Sequence, residues 1–204
     1  MNKYDSYLSG IRIRLDDARY EHTLSVAETA RALGELYDLP EEDCDKLYVA
    51  GLLHDITKPL TLHMHIALCK KANMPLTKDD LASPPTLHAI TGAIVAKRDF
   101  PEIADDTVCH AIMRHTTGGC DMNLIDKLLY LADYIEPKRQ NPVCIAAREA
   151  FYAELAVTDD KIATLHRHML SMTESTRRYI LQKQFPLHPK TDETVTFLKK
   201  ELEK

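Results

Sequence analysis

The stretch from Asn123 to Glu136, NLIDKLLYLADYIE, decides most about how this chain folds. Leu124, Ile125, Leu128, Leu129, Leu131, Ala132 and Ile135 cover most of the surface of one helix, so that helix belongs at the centre of a helical assembly. Asp133 interrupts it. An unpaired carboxylate in such surroundings costs on the order of several kcal/mol, so it needs a cation or a hydrogen-bond network. A salt bridge to an arginine is the simpler answer; a bound metal ion is the other.

The rest of the chain reads as helix after helix. Val26, Ala30, Leu33 and Tyr37 recur at helical spacing over about 19–38, and Leu39-Pro40 ends that element. Pro40-Glu41-Glu42-Asp43 starts a second helix, which runs through Leu47, Ala50 and Leu53 into His54-Asp55 and stops near Lys58-Pro59. Short helical pieces are expected over 61–72 and 78–82. Thr86 is a candidate N-cap for a helix from Leu87 to Arg98, and Pro101 is expected to open the next, ending at His115-Thr116-Thr117-Gly118-Gly119. Beyond the 123–136 helix, a loop containing Arg139 leads to helices over about 143–154 and 158–184. A break at Pro186-Leu187-His188-Pro189 precedes a short C-terminal helix. No stretch alternates as a strand would, and only six glycines with no tryptophan argue against a turn-rich β sandwich. The expectation is one all-α bundle over 1–204, with a core over about 19–137 and C-terminal helices over about 143–201 packed on it.

Charge and cysteine usage exclude several classes. With 26 basic and 31 acidic residues the net charge is −5, so no basic field calls for nucleic acid. The longest apolar runs fall far short of the roughly 20 residues of a membrane span, and the N-terminal region has no signal-peptide core. Cys44, Cys69, Cys109, Cys120 and Cys144 show no CxxC spacing, so a reduced, cytoplasmic setting is expected. A homodimer is compatible with so small a domain, though no residue pattern specifies one. Phosphate-cradling glycine loops and the nucleophile elbow of serine hydrolases are absent.

Candidate chemistry lies with the histidines. His54-Asp55 ends an apolar helix, His22 lies on the inward face of another, His88 opens a third and His115 closes a fourth. Any one alone is more often a core or capping histidine than a ligand. Together with Asp133, their shared position at the ends of apolar helices points to a metal cup. His63 and His65 are two apart and are expected in a solvated loop or on a partner surface; His166 and His168 are expected to be exposed. Glu28, Glu35, Glu41 and Glu42 read as wet-face charges.

The order His22, His54-Asp55, His88, His115, Asp133 resembles the HD-domain metal-dependent phosphohydrolases. The stretches Gly51-Leu52-Leu53-His54-Asp55-Ile56-Thr57-Lys58, His115-Thr116-Thr117-Gly118 and Leu131-Ala132-Asp133-Tyr134-Ile135-Glu136-Pro137-x-Arg139 are similar to the YqeK-type branch, symmetrical hydrolases of diadenosine tetraphosphate. The resemblance covers about 19–189. It implies that His22, His54, Asp55 and Asp133 hold a metal, iron by preference. It further implies that His88, His115, Thr116 and Arg139 face the nucleotide phosphates, and that the dinucleotide is cut at its centre. By chemistry alone the mixed imidazole and carboxylate set suits manganese, nickel or zinc as well. Asp55, Lys58, His88 and His115 are the candidate catalytic groups. Lys58 and Arg139 are candidate phosphate clamps, joined by Arg19; His22 and Asp133 would border the substrate, and Thr176 and Arg177 are candidates for the pocket wall. His88 and His115 could instead hold a second ion; phosphate contact is the preferred use. The rival readings are another HD phosphohydrolase (nucleotidase, dNTP hydrolase or cyclic-dinucleotide phosphodiesterase), a non-catalytic nucleotide-binding protein, and a diiron oxygenase.

Overall fold

The run around Asp133 forms α8 (Leu124–Ile135) in a computed structural model that describes residues 4–204. Residues 1–3 of the expected 1–204 span lie outside them. A capping box starts α8: the Asn123 side chain accepts from the Asp126 amide at 3.0 Å, and Asp126 accepts from the Asn123 amide at 2.8 Å. Leu128, Leu129, Leu131 and Ala132 are fully buried, as their spread around the helix requires.

Two hairpins of helices flank it. α2 (Asp17–Leu36) and α3 (Glu41–Leu53) pair closely, and both pack on α8. A Cβ at Gly51 would sit 2.5 Å from the Ala27 Cα, so only glycine lets the two backbones approach this way. α6 (Leu87–Asp99) pairs with α7 (Asp106–Arg114), and α7 closes on α3 and α8. The small elements α4 (Leu62–Lys71) and α5 (Lys78–Ala82) lie beside this half. The other side of α8 carries α9 (Pro142–Leu155) and α10 (Lys161–Gln182), with α11 (Pro189–Leu202) packed along α10. α1 (Asp5–Arg12) precedes the first helix expected from the sequence; it buries Ile11, and Tyr4 stacks on Tyr48 beside it.

The all-α expectation holds: no strand occurs among the described residues. Among the described residues no helix is long and apolar enough to cross a membrane. All five cysteines are free thiols, with Cys120 alone exposed. Two helix starts differ from the sequence reading. Pro101 leads a turn, and α7 begins only where the Asp105 side chain accepts from the Val108 amide at 2.9 Å. Thr86 does not cap α6; it ends a 3₁₀ turn from Pro84 and its hydroxyl donates to the Ser83 carbonyl at 2.8 Å. A residue in helical backbone cannot aim its hydroxyl forward at the next turn as an extended N-cap does.

Two histidine expectations fail. His65 and His63 do lie on different faces, but of a helix rather than a loop; His65 is buried and bonds to the Thr91 hydroxyl at 2.8 Å. His166 is buried against Lys127 at 2.9 Å, and His168 is half-buried against Glu154 at 2.9 Å. α10 is covered on two sides, so residues two apart both find neighbours.

Candidate metal centre

Six titratable side chains from five parts of the chain meet beside α8: His22, His54, Asp55, His88, His115 and Asp133. Local structure aims each one. The Asp16 side chain caps α2 by accepting from the Arg19 amide at 2.7 Å, which fixes the turn carrying Arg19 and His22 on one face. The close α2–α3 approach at Gly51 brings His54, at the end of α3, to the His22 ring, with ring centres 5.4 Å apart. His88 lies in the first turn of α6 and His115 just past the end of α7. Behind His115, Gly118 turns with φ +70° and the Thr194 hydroxyl of α11 donates to the Thr117 carbonyl at 3.0 Å.

Hydrogen bonding settles which ring nitrogens are free. His54 Nδ1 lies 2.7 Å from the Gly51 carbonyl, His88 Nδ1 2.7 Å from that of Pro85, and His115 Nδ1 2.6 Å from that of Ile112. A carbonyl only accepts, so each Nδ1 carries the proton. His22 differs. Its helix interior offers no free carbonyl, and its Nδ1–H donates to Glu136 Oε1 at 2.9 Å. All four Nε2 atoms therefore turn towards the cup. Burial pulls His54 below its ordinary value and, with the neighbouring His54 ring, brings His115 down to about 4; burial and Lys58 push His88 far down. These three rings are neutral lone-pair donors.

The spacing of the facing Nε2 and carboxylate atoms fits an ion. His22 Nε2 lies 3.1 Å from Asp133 Oδ1 and 3.9 Å from Asp55 Oδ2; His54 Nε2 lies 3.5 Å from Asp55 Oδ2 and 3.8 Å from Asp133 Oδ1. Ligand atoms bound to one ion at ~2.0–2.2 Å stand roughly 3 to 4 Å from one another. His22 Nε2, His54 Nε2 and Asp55 Oδ1 are buried without a well-directed hydrogen bond. Buried polar atoms left unpaired are costly, so a cation among them is the physical complement. Burial opposes the charge on Asp133 and Asp55. Arg139 and His22 outweigh it at Asp133, and His54, Lys58 and His88 at Asp55, so both carboxyls stay well below the usual carboxylate range. Burial likewise opposes a charged His22, yet Asp133 and Glu136 raise it to about 8.

A second group faces Asp55 Oδ1. That oxygen lies 3.2 Å from His88 Nε2 and 3.8 Å from His115 Nε2, and the two nitrogens are 3.0 Å apart. Lys58 supplies a proton here: its ammonium is 3.0 Å from His88 Nε2, and the Thr116 hydroxyl is 3.0 Å from His115 Nε2. Lys58 Nζ is also 3.8 Å from Asp55 Oδ1. Burial lowers the Lys58 pKa. Arg19 donates to Asp55 Oδ2 at 2.8 Å, and Arg139 Nη2 donates to Asp133 Oδ1 at 2.6 Å. Both guanidiniums are about one-third exposed and could turn towards an anion.

Arg177 stands apart. Its guanidinium pairs with Asp192 of α11 at 2.5 Å and lines a cleft between α10 and α11 with Glu174 and Lys199, which includes no side chain of the cup; Thr176 precedes it on α10. Glu136, which backs the His22 ring, has no role assigned to it by the sequence. Its signal is an acid three residues after Asp133, at helical spacing on the same face.

A family model described as "HD domain" matches residues 19–138, the segment that carries every side chain of the cup. The curated "Bis(5'-nucleosyl)-tetraphosphatase, symmetrical" of Halalkalibacterium halodurans is 32% identical over 89% of this chain and 89% of its own length. The protein of the same description from Bacillus subtilis is 30% identical over 97% and 98%. A crystal structure of a "predicted HD superfamily hydrolase involved in NAD metabolism" from Clostridium acetobutylicum superposes with a TM-score of 0.85 at 30% identity, covering 98% of this chain and 99% of that one. The imidazole and carboxylate cup is thus carried by a chain that belongs to the HD-domain family.

Proposed function

We propose that this protein is a metal-dependent symmetrical hydrolase of diadenosine tetraphosphate and related dinucleoside polyphosphates. The observation that carries the reading is the set of separations, 3.1 to 3.9 Å, between the imidazole Nε2 atoms of His22 and His54 and the carboxylate oxygens of Asp55 and Asp133, with three cationic side chains beside them. The names of relatives similar over nearly the whole chain supply the substrate. Those four residues would hold a divalent transition metal, with iron as the choice. Such an ion supplies Lewis-acid polarisation of a phosphoryl oxygen and acidification of a water molecule.

The remaining steps belong to the protein. Arg19, Lys58, Thr116 and Arg139 bind the phosphate chain, and Arg139 offers a planar fork to a phosphate edge. Water oxygen bonds to one of the two central phosphorus atoms and releases a proton to solvent, while the bridging oxygen departs with the other, giving two nucleoside diphosphates. Lys58 Nζ and His88 Nε2, 3.0 Å apart, share the proton delivered to that departing oxygen. His115 Nε2 and the Thr116 hydroxyl hold the opposite phosphoryl oxygens. Residues 1–204 are taken as one HD domain working on a nucleotide in the cytoplasm, without nucleic acid or membrane.

A second cation is the alternative use of Asp55 Oδ1, His88 and His115, favoured by their mutual separations of 3.0 to 3.8 Å. Lys58 already supplies positive charge there, so one ion per chain is expected. Elemental analysis of protein purified without chelator, run with a hydrolysis assay scored by chromatography, tests both points. One ion per chain and ADP as sole product support the reading. An inert wild type in iron, manganese, nickel and zinc would overturn it, and His54→Ala protein keeping full metal and activity would overturn the site.

A further inference from the structure

The turn His115-Thr116-Thr117-Gly118 brings two groups to the cup, and they are not backed in the same way. His115 follows α7 directly and donates from Nδ1 to the Ile112 carbonyl at 2.6 Å, so its own helix aims the ring. Thr116 has no such backing. Among the described residues its hydroxyl reaches the Nε2 atoms of His115 and His88, at 3.0 and 3.2 Å, and nothing else. Where it stands depends on the path of the backbone that follows it.

That path is fixed from two sides. From within, the Gly118 amide donates to the Arg114 carbonyl at 2.9 Å. From without, the buried Thr194 of α11 donates from its hydroxyl to the Thr117 carbonyl at 3.0 Å. The same oxygen lies 2.8 Å from the Lys190 carbonyl one turn back, which sets the rotamer of the side chain. Gly118 makes room for it, since a Cβ there would stand 2.5 Å from the Thr194 hydroxyl oxygen. α11 is anchored where it starts: His188 accepts from the Lys190 amide at 3.2 Å and donates to Asp80 of α5 at 3.1 Å. The segment matching the HD-domain model ends at 138, so this support reaches the turn from outside it.

We propose that Thr194 is a positioning residue, acting through the Thr117 carbonyl to place the Thr116 hydroxyl for a phosphoryl oxygen. This rests on the dinucleoside tetraphosphate reading. Thr117 is buried, and a buried carbonyl that loses its donor is costly, so the turn shifts when the Thr194 hydroxyl is removed. Small displacements of a group that orients the reacting phosphates slow the reaction, while the four residues proposed to hold the metal lie outside the turn.

Thr194→Val keeps the side-chain shape without the donor, Thr194→Ala removes the donor and leaves space, and Thr194→Ser keeps the donor. The readouts are kcat/KM for diadenosine tetraphosphate, metal content and helicity by circular dichroism. The valine and alanine variants should lose about tenfold in kcat/KM with metal content unchanged, and the serine variant should stay within about twofold of wild type. On a Thr116→Val background, Thr194→Val should cost less than about twofold more, because there is no hydroxyl left to place, whereas a merely structural loss would add in full. An unchanged kcat/KM in both variants, metal lost along with activity, a full tenfold on the Thr116→Val background, or failure of both variants to fold would overturn the proposal while wild-type turnover still upheld the parent reading. A wild type inert towards the dinucleotide would bring down both.

Discussion

Replacing Glu136 by glutamine or alanine should weaken the metal site without touching a ligand. The reason lies in how the rings are backed. His54, His88 and His115 donate from Nδ1 to carbonyls three residues earlier, bonds that the fold supplies at no further cost. His22 depends on Glu136, which lies 114 positions away in sequence and is almost fully buried. Loss of such an outer partner lowers metal affinity by about 10–100-fold, or ~1.4–2.7 kcal/mol. Glutamine can still accept from Nδ1–H and keep the ring aimed, so Glu136→Gln belongs near tenfold. Glu136→Ala also frees the ring and strips the Lys138 amide of its acceptor at 2.5 Å, which places it near a hundredfold. The pH of the measurement matters. With His22 raised to about 8, the metal-free ring is protonated at pH 7.5, and an entering ion must displace that proton at a penalty of about fourfold. Removing Glu136 relieves part of that penalty, so the difference should be largest above pH 8 and shrink below it. Competition with a chelator at pH 8.5 and pH 7 reads both effects. If both variants bound metal within twofold of wild type at pH 8.5, while folded, the backing role of Glu136 would be refuted.

Arg139→Ala removes the 2.6 Å bond to Asp133 along with a candidate phosphate clamp, so KM should rise about tenfold and metal affinity fall a few-fold; steady-state kinetics and metal titration separate the two. Lys58→Met should leave metal content intact and lower kcat by about a hundredfold, since the nearest proton donor to the departing phosphate is gone. Remote from the site, Arg98 and Arg14 together hold Asp99 at about 2. A depressed carboxyl contributes stability above its unfolded pKa near 3.9 and loses it as pH falls through about 2. Asp99→Asn should therefore cost about 1 kcal/mol at pH 7, allowing for the half-exposed Arg98, and only a small fraction of that at pH 2, as urea denaturation at the two pH values would show.

Much of this was legible because burial makes polar residues conspicuous. Asp133 stands out against Leu128, Leu129, Leu131 and Ile135; the structure pairs it with Arg139, as the simpler reading expects, and sets beside it the His22 and His54 rings that the metal reading requires. The histidines at helix ends were legible for a related reason: a ring past the last turn can bond its own helix's carbonyl and point Nε2 elsewhere, as His54 and His115 do. Helix starts were less so, since Pro101 fits a turn as well as a first helical turn, and Asp105 won by offering a side-chain acceptor.

The histidines two apart show where sequence periodicity stops. Residues i and i+2 on a helix point about 200° apart, so a pair such as His63 and His65 must split if the helix has one dry side. Periodicity gives that split but not which member goes inward. The choice falls to partners distant in sequence, Thr91 for His65 and Lys127 for His166, 26 and 39 positions away. Glu136 obeys the same logic at the site. Its spacing from Asp133 puts it on the right face, but only the fold brings His22 to it across 114 positions. Candidate ligands could be read from helix ends, whereas the groups that hold those side chains still are set by which helices pack together.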